Sequence, residues 1–178
     1  MTRSLISLCF VTLVACGGDG GPPECLGVGC TCTDSACTCT AGTDCKTECH
    51  DDACSLVCTQ ASKCQGNSTD ALMVTCNDTS ECKGAGGDHS AVTCTSASNC
   101  DFKLGADSQA TCNMQAICKL QVGANSTLTC SDSSACNIKC DGDCKATCAA
   151  GSECAVTCGV AASPATTCSP GVFACGSC

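Results

Sequence analysis

The residues of this chain whose number and spacing point to chemistry are its cysteines. The sequence holds 28 cysteines in 178 residues. Oxidised in pairs, they would cross-link the fold, and as thiolates they would bind soft metals. Setting aside Cys9, in an apolar leader, and Cys16, directly after it, leaves 26. An even number at this density in an exported chain favours a framework of up to 13 disulfides, with no metal site and no cofactor.

Fourteen of the cysteines form two periodic series. The first series is Cys39, Cys58, Cys76, Cys94, Cys112, Cys130 and Cys148. The second series lies six residues later, at Cys45, Cys64, Cys82, Cys100, Cys118, Cys136 and Cys154. Every step is 18 residues except the first, which is 19. A short fixed period indicates a solenoid, in which one structural unit stacks on the next, and the two series predict about seven coils.

The residues beside these cysteines alternate with period two, which is typical of β-strands. Val92-Thr93-Cys94 places an apolar residue and a cysteine on one side and threonine on the other. Cys100-Asp101-Phe102-Lys103-Leu104 alternates in the same way, and turn residues such as Asp132-Ser133-Ser134 and Gly123-Ala124-Asn125-Ser126 separate the runs. Each coil is therefore predicted to be strand, turn, strand, turn. The predicted fold is all-β, a flattened disulfide-braced β-solenoid (β-helix) roughly 34 Å long at about 4.8 Å per coil.

The composition divides the chain into five parts. The prediction is a leader at residues 1–15, a tether at 16–24, an N-terminal cysteine-rich cap at 25–38, the solenoid repeats at 39–167 and a C-terminal cap at 168–178. Residues 16–178 contain only 18 Leu, Ile, Val and Phe residues. A chain so poor in large apolar groups needs another source of stability, and cross-links supply one.

Two disulfide schemes are open from the sequence. Cysteines six apart flank one turn and point inward, which favours bridges within a coil, such as Cys76–Cys82. Cys49–Cys54 and Cys140–Cys144 would close the opposite turn. However, stacked coils also place Cys76 near Cys94, at about 5 Å, which is within disulfide range.

The first residues indicate export. Arg3 precedes an apolar run, Leu5 to Ala15, that is long enough for a signal peptide and too short to span a bilayer. Its end, Leu13-Val14-Ala15-Cys16, resembles the bacterial lipobox, which implies lipidation of Cys16 and a membrane as partner. The residues after Cys16 are rich in glycine and proline, as in a flexible tether. Gly17 follows the cysteine where Asp would retain a lipoprotein at the inner membrane, so the resemblance favours the outer membrane or cell surface.

The cysteine-rich repeats behind such a leader resemble the repeat lipoproteins of myxobacteria, for which the resemblance implies no particular activity. We therefore expect a membrane-anchored extracytoplasmic protein that acts as a structural or interaction module on the cell surface. Its protein or surface partner is not identified by the sequence. The formal net charge of −9 argues against nucleic acid as a partner, since that needs clustered basic residues.

A threonine column is the most distinctive surface feature. Its members are Thr75, Thr93, Thr111, Thr129 and Thr147. Thr93-Cys94-Thr95, with Cys100 six residues after Cys94, is similar to the repeats of beetle antifreeze proteins, which implies ice binding by a flat threonine face. The other interpretation is that β-branched threonine suits an exposed strand. Ice binding is thus an alternative function, and metal sequestration by the cysteines is another.

Catalysis has little support in the sequence. His50 and His89 are the only histidines, and they occupy non-equivalent positions in the repeat. No hydrolase or zinc-protease motif is present. The only Cys-x-x-Cys pair, Cys175 with Cys178, is expected to be a closing disulfide at the C-terminal cap. We expect the protein not to be an enzyme.

Overall fold

The computed structural model describes residues 23–40, 42–49 and 54–178, in which all the regular structure is β. The leader, the predicted lipidation residue Cys16 and His50 lie outside the described residues. The strands form two sheets, one of nine strands and one of ten. This all-β solenoid of about seven turns confirms the fold that the 18-residue period predicts.

The ten-stranded sheet, called here the threonine sheet, holds the first strand of every coil. Its strands are β2 (Cys30–Thr33), β3 (Ala36–Cys39), β5 (Cys54–Cys58), β7 (Leu72–Cys76), β9 (Ala91–Cys94), β11 (Gln109–Cys112), β13 (Ser126–Cys130), β15 (Cys144–Cys148), β18 (Thr166–Ser169) and β19 (Val172–Cys175). From β3 to β15 its strands are parallel neighbours, so the first coil begins at Ala36.

The nine-stranded sheet, called here the lysine sheet, holds the second strand of every coil. Its strands are β1 (Glu24–Leu26), β4 (Asp44–Cys49), β6 (Lys63–Ser68), β8 (Glu81–Gly86), β10 (Asn99–Leu104), β12 (Ile117–Val122), β14 (Ala135–Cys140), β16 (Glu153–Cys158) and β17 (Ser163–Pro164). From β4 to β16 the strands are again parallel, with equivalent residues of successive coils in register.

Antiparallel strands cover both ends of the stack. At the N-terminal end β1 pairs with β4 and β2 pairs with β3. At the C-terminal end β17 pairs with β16, and β19 lies between β15 and β18. An open parallel edge would recruit further strands, so these short antiparallel strands limit growth of the solenoid from its ends. The C-terminal cap begins with β17 at Ser163.

The turns after five threonine-sheet strands, β5, β7, β9, β11 and β13, are left-handed. Their two central residues have positive φ without being glycine, as at Ser96 (56°) and Ala97 (57°). Such a backbone costs an L-residue about 1–2 kcal/mol. The stacked turns offset this cost, because the Thr79 N–H donates to the Ser96 carbonyl at 3.0 Å and the Ala97 N–H donates to the Met114 carbonyl at 2.9 Å. The sequence predicts these turns by their polar residues but not their handedness.

Each sheet contributes a single layer of side chains to the interior. Phe102, Leu120 and Ile138 stack in register along the lysine sheet and are at most 2% exposed. At Leu56, where the threonine sheet contributes a large side chain to the interior, the facing residue of the lysine sheet is a glycine. A Cβ on Gly66 would lie 2.9 Å from Leu56 Cδ2, so the leucine fills the space that a side chain at Gly66 would take.

Buried serines satisfy the backbone at the second turn. The Ser90 N–H donates to Ser108 Oγ and the Ser108 N–H donates to Ser126 Oγ, each at 3.2 Å. The Leu72 N–H donates to Ser90 Oγ at 3.0 Å. All three serines are at most 2% exposed. The sequence predicts Ser126 as a turn residue but not this ladder, although the 18-residue spacing of Ser90, Ser108 and Ser126 is a signal for it.

Candidate functional surfaces and the disulfide column

A column of seven disulfides runs through the solenoid, one in each coil. The pairs are Cys39–Cys45, Cys58–Cys64, Cys76–Cys82, Cys94–Cys100, Cys112–Cys118, Cys130–Cys136 and Cys148–Cys154. Each joins the last residue of a threonine-sheet strand to the next strand of the same coil. The structure thus forms the bridges within coils and does not join Cys76 to Cys94.

Six further disulfides close the opposite turn and fasten the caps. Cys49–Cys54 and Cys140–Cys144 close turns, as their spacing suggested. The caps contain Cys25–Cys30, Cys32–Cys37, Cys158–Cys175 and Cys168–Cys178. The 13 disulfides therefore use all 26 cysteines of residues 25–178.

The expected bridge between Cys175 and Cys178 is wrong. In the structure Cys175 binds Cys158 and Cys178 binds Cys168, each with the two Cα atoms 5.5 Å apart. The reason is the antiparallel pairing of β19 with β15, which places Cys175 opposite Cys144. This position brings Cys175 to the end of β16, where Cys158 lies.

Several groups of three sulfurs lie close together in the described residues. In one, Sγ of Cys130, Cys136 and Cys154 are all within 4.8 Å of one another. Neighbouring cysteine sulfurs can bind a soft metal only when they are thiolates. All of these cysteines are in disulfides. Sequestering a metal would therefore require prior reduction of the chain. The prediction that the protein binds no metal stays a prediction.

The predicted threonine column is an in-register ladder on the outer face of the threonine sheet. Its five members, Thr75, Thr93, Thr111, Thr129 and Thr147, lie opposite one another in consecutive coils. Val57 interrupts the column next to Thr75. Two residues before each threonine, the neighbouring column is Met73, Ala91, Gln109, Thr127 and Lys145. The face therefore has one threonine ladder rather than two.

The opposite outer face carries most of the basic residues. Its lysines are Lys46, Lys63, Lys83, Lys103, Lys119 and Lys139. Acidic residues lie among them, and Lys119 Nζ lies 3.1 Å from Asp101 Oδ2. Both side chains of this ion pair are more than half exposed, at 71% and 58%, so the pair adds little stability. The lysine sheet thus presents a mixed-charge surface, in contrast to the largely uncharged threonine sheet.

The fold and the bridges define the chain as a cysteine-rich β-solenoid braced by disulfides. Comparison with protein-family models, with curated proteins and with solved structures found no match for it. In the described part of the chain, no helix is long and apolar enough to span a bilayer. The one histidine described, His89, is exposed in the turn before β9.

Proposed function

We propose that the protein is an extracytoplasmic lipoprotein, anchored through Cys16, that acts as a rigid structural or interaction module on the bacterial cell surface. The observation that carries this proposal is the set of 13 disulfides that uses every cysteine from residue 25 onward. Such a framework is typical of oxidising compartments and rare in the cytosol, so it supports export.

The solenoid is suited to a stiff spacer. Its coils are closed by disulfides, its sheet edges are covered by antiparallel strands, and its two outer faces are broad and different. Because the glycine- and proline-rich residues 17–23 precede it, the rod would stand off from the membrane on a tether. The position of Gly17 after the cysteine favours the outer membrane, with a partner that meets one of the two faces.

Loss of the lipid anchor tests the proposal. We expect the Cys16→Ser variant to move from the membrane fraction to the soluble fraction, because stable membrane residence requires the acyl chains. Fractionation of cells with detection of the protein, and intact mass of the purified chain, would measure this. The matched control is Cys9→Ser, which changes a cysteine within the leader and should leave the protein in the membrane. Membrane association of Cys16→Ser equal to that of the unchanged chain would contradict the proposal.

Ice binding is a second candidate, favoured by the in-register ladder of five threonines. The side chains at the neighbouring column count against it, since Met73 and Lys145 break the regularity of the face. Thermal hysteresis of the purified chain decides between the two functions. If the ladder binds ice, Thr111→Tyr should abolish most of the hysteresis while Lys119→Tyr, on the opposite face, should not. No hysteresis in the unchanged chain would dismiss this candidate.

A further inference from the structure

The disulfide of the seventh coil differs from the other six in its exposure. The twelve cysteines of the first six coil bridges are at most 5% exposed. Cys148 and Cys154 are only half-buried, because the last coil is covered on one side by the short cap strands. Thiol–disulfide exchange depends on access to the sulfur that is attacked. A solution thiol therefore reaches the column of coil disulfides most readily at this bridge.

The same bridge lies against the disulfide of the coil below. The register of β14 and β16 places Cys154 opposite Cys136. As a result, Sγ of Cys154 is within 4.8 Å of both sulfurs of the Cys130–Cys136 bridge. Cys148 belongs to no such group among the described residues. The two cysteines of one bridge thus differ in their access to a neighbouring disulfide.

We propose that Cys154 is a thiol–disulfide exchange site that converts a bridge within a coil into a bridge between coils. A dithiol reductant, small molecule or protein, first reduces Cys148–Cys154 and is itself oxidised to a disulfide. The Cys154 thiolate then attacks one sulfur of Cys130–Cys136. A new bond forms between Cys154 and that sulfur, the old bond breaks, and the other cysteine leaves as a thiolate that takes up a proton. The second step involves no net oxidation or reduction.

The exchange changes which coils the disulfide joins. A bridge within a coil closes that coil, and the sixth and seventh coils are cross-linked only at the opposite turn, through Cys140–Cys144. A bridge from Cys154 to Cys130 or Cys136 would fasten these two coils to each other on the side of the disulfide column as well. The chemical class of partner is accordingly a dithiol, as in proteins with a Cys-x-x-Cys redox pair.

Two variants of the same bridge test the exchange without any added reductant. Cys148→Ser leaves the Cys154 thiol within 4.8 Å of both sulfurs of the coil-six disulfide. Cys154→Ser leaves the Cys148 thiol, which lies opposite Cys130 in the register of β13 and β15 but is not grouped with both sulfurs of that bridge. Both lose the same disulfide and keep the other 12. The purified chains would be incubated at neutral pH, quenched with an alkylating agent and digested with trypsin without reduction.

The positions of the lysines make the peptide map diagnostic. Cleavage after Lys119, Lys139 and Lys145 separates peptide 120–139, which holds Cys130 and Cys136, from peptide 146–178. In the unchanged chain every disulfide of these two peptides is internal, so they separate. An exchange at Cys154 links them and leaves one alkylated cysteine in peptide 120–139.

We expect at least about tenfold more of the linked peptide pair from Cys148→Ser than from Cys154→Ser, since exchange requires approach of the thiolate to the disulfide. Alkylation should fall on Cys130 or Cys136 in the first variant and on Cys148 in the second. Unlinked peptides from both variants, with the alkyl group on the cysteine that lost its partner, would overturn the proposal. Equal linkage in both would also overturn it, because the exchange would then not depend on the position of Cys154.

Discussion

Complete reduction of the 13 disulfides is expected to unfold this protein. Far-ultraviolet circular dichroism should lose its β-sheet signal, and size-exclusion chromatography should show a much larger hydrodynamic radius. The control is the alkylating agent alone, which should change neither measurement because no thiol is free among residues 25–178. A fully reduced and alkylated chain that kept its β spectrum and compact size would contradict the role assigned to the bridges.

The expected size of the effect follows from loop length. Most of the bridges join cysteines four to six residues apart. A cross-link that closes so short a loop contributes roughly 2 kcal/mol through the entropy of the unfolded chain. The eleven bridges of this kind together exceed the net stability of about 5–15 kcal/mol that is typical of a folded domain. Residues 16–178 contain only 18 Leu, Ile, Val and Phe residues, several of which are exposed, so the apolar interior cannot replace the cross-links.

Truncation of the largest core side chain is the second expected large effect. Phe102→Ala should lower the free energy of unfolding by about 3–5 kcal/mol, the range found when a buried aromatic residue leaves a cavity. Urea unfolding with the disulfides intact would measure the change. The matched control is Ile117→Ala, also in the lysine sheet but facing solvent at 56% exposure, which should change stability by less than about 0.5 kcal/mol.

The neighbours of Phe102 explain why its cavity would not close. Along its column the residue below is Gly84 and the residue above is Leu120. Glycine has no side chain to move into the space, and a Cβ on Gly84 would lie 1.8 Å from the Gly66 carbonyl oxygen. The disulfide of the same coil, Cys94–Cys100, links β9 to β10 two residues before Phe102 and so restricts movement of the backbone there. Equal stability losses for Phe102→Ala and Ile117→Ala would contradict this account of the core.

The repeat made the fold predictable from the sequence and favoured the bridges within coils. An 18-residue period together with two-residue alternation allows few arrangements other than stacked strand–turn–strand coils. The cysteines at six-residue spacing flank a turn within one coil, which favoured this pairing, but the stacked position of Cys76 and Cys94 left a second scheme open that only the structure excluded. The threonine ladder followed in the same way, because Thr93 and Thr111 occupy equivalent positions of consecutive coils.

Features set by contacts between distant or non-repeating segments required the tertiary structure. Cys175 pairs with Cys158 because β19 folds back antiparallel onto β15, and no period in the sequence specifies that reversal. The left-handed turn at Ser96 and Ala97 is stabilised by hydrogen bonds to the next coil, so its own residues do not reveal it. The closeness of Cys154 to Cys130–Cys136 likewise depends on side-chain positions in two coils. The sequence by itself determined the repeating unit, whereas the ends, the handedness of the turns and the contacts between sulfurs were decided by packing.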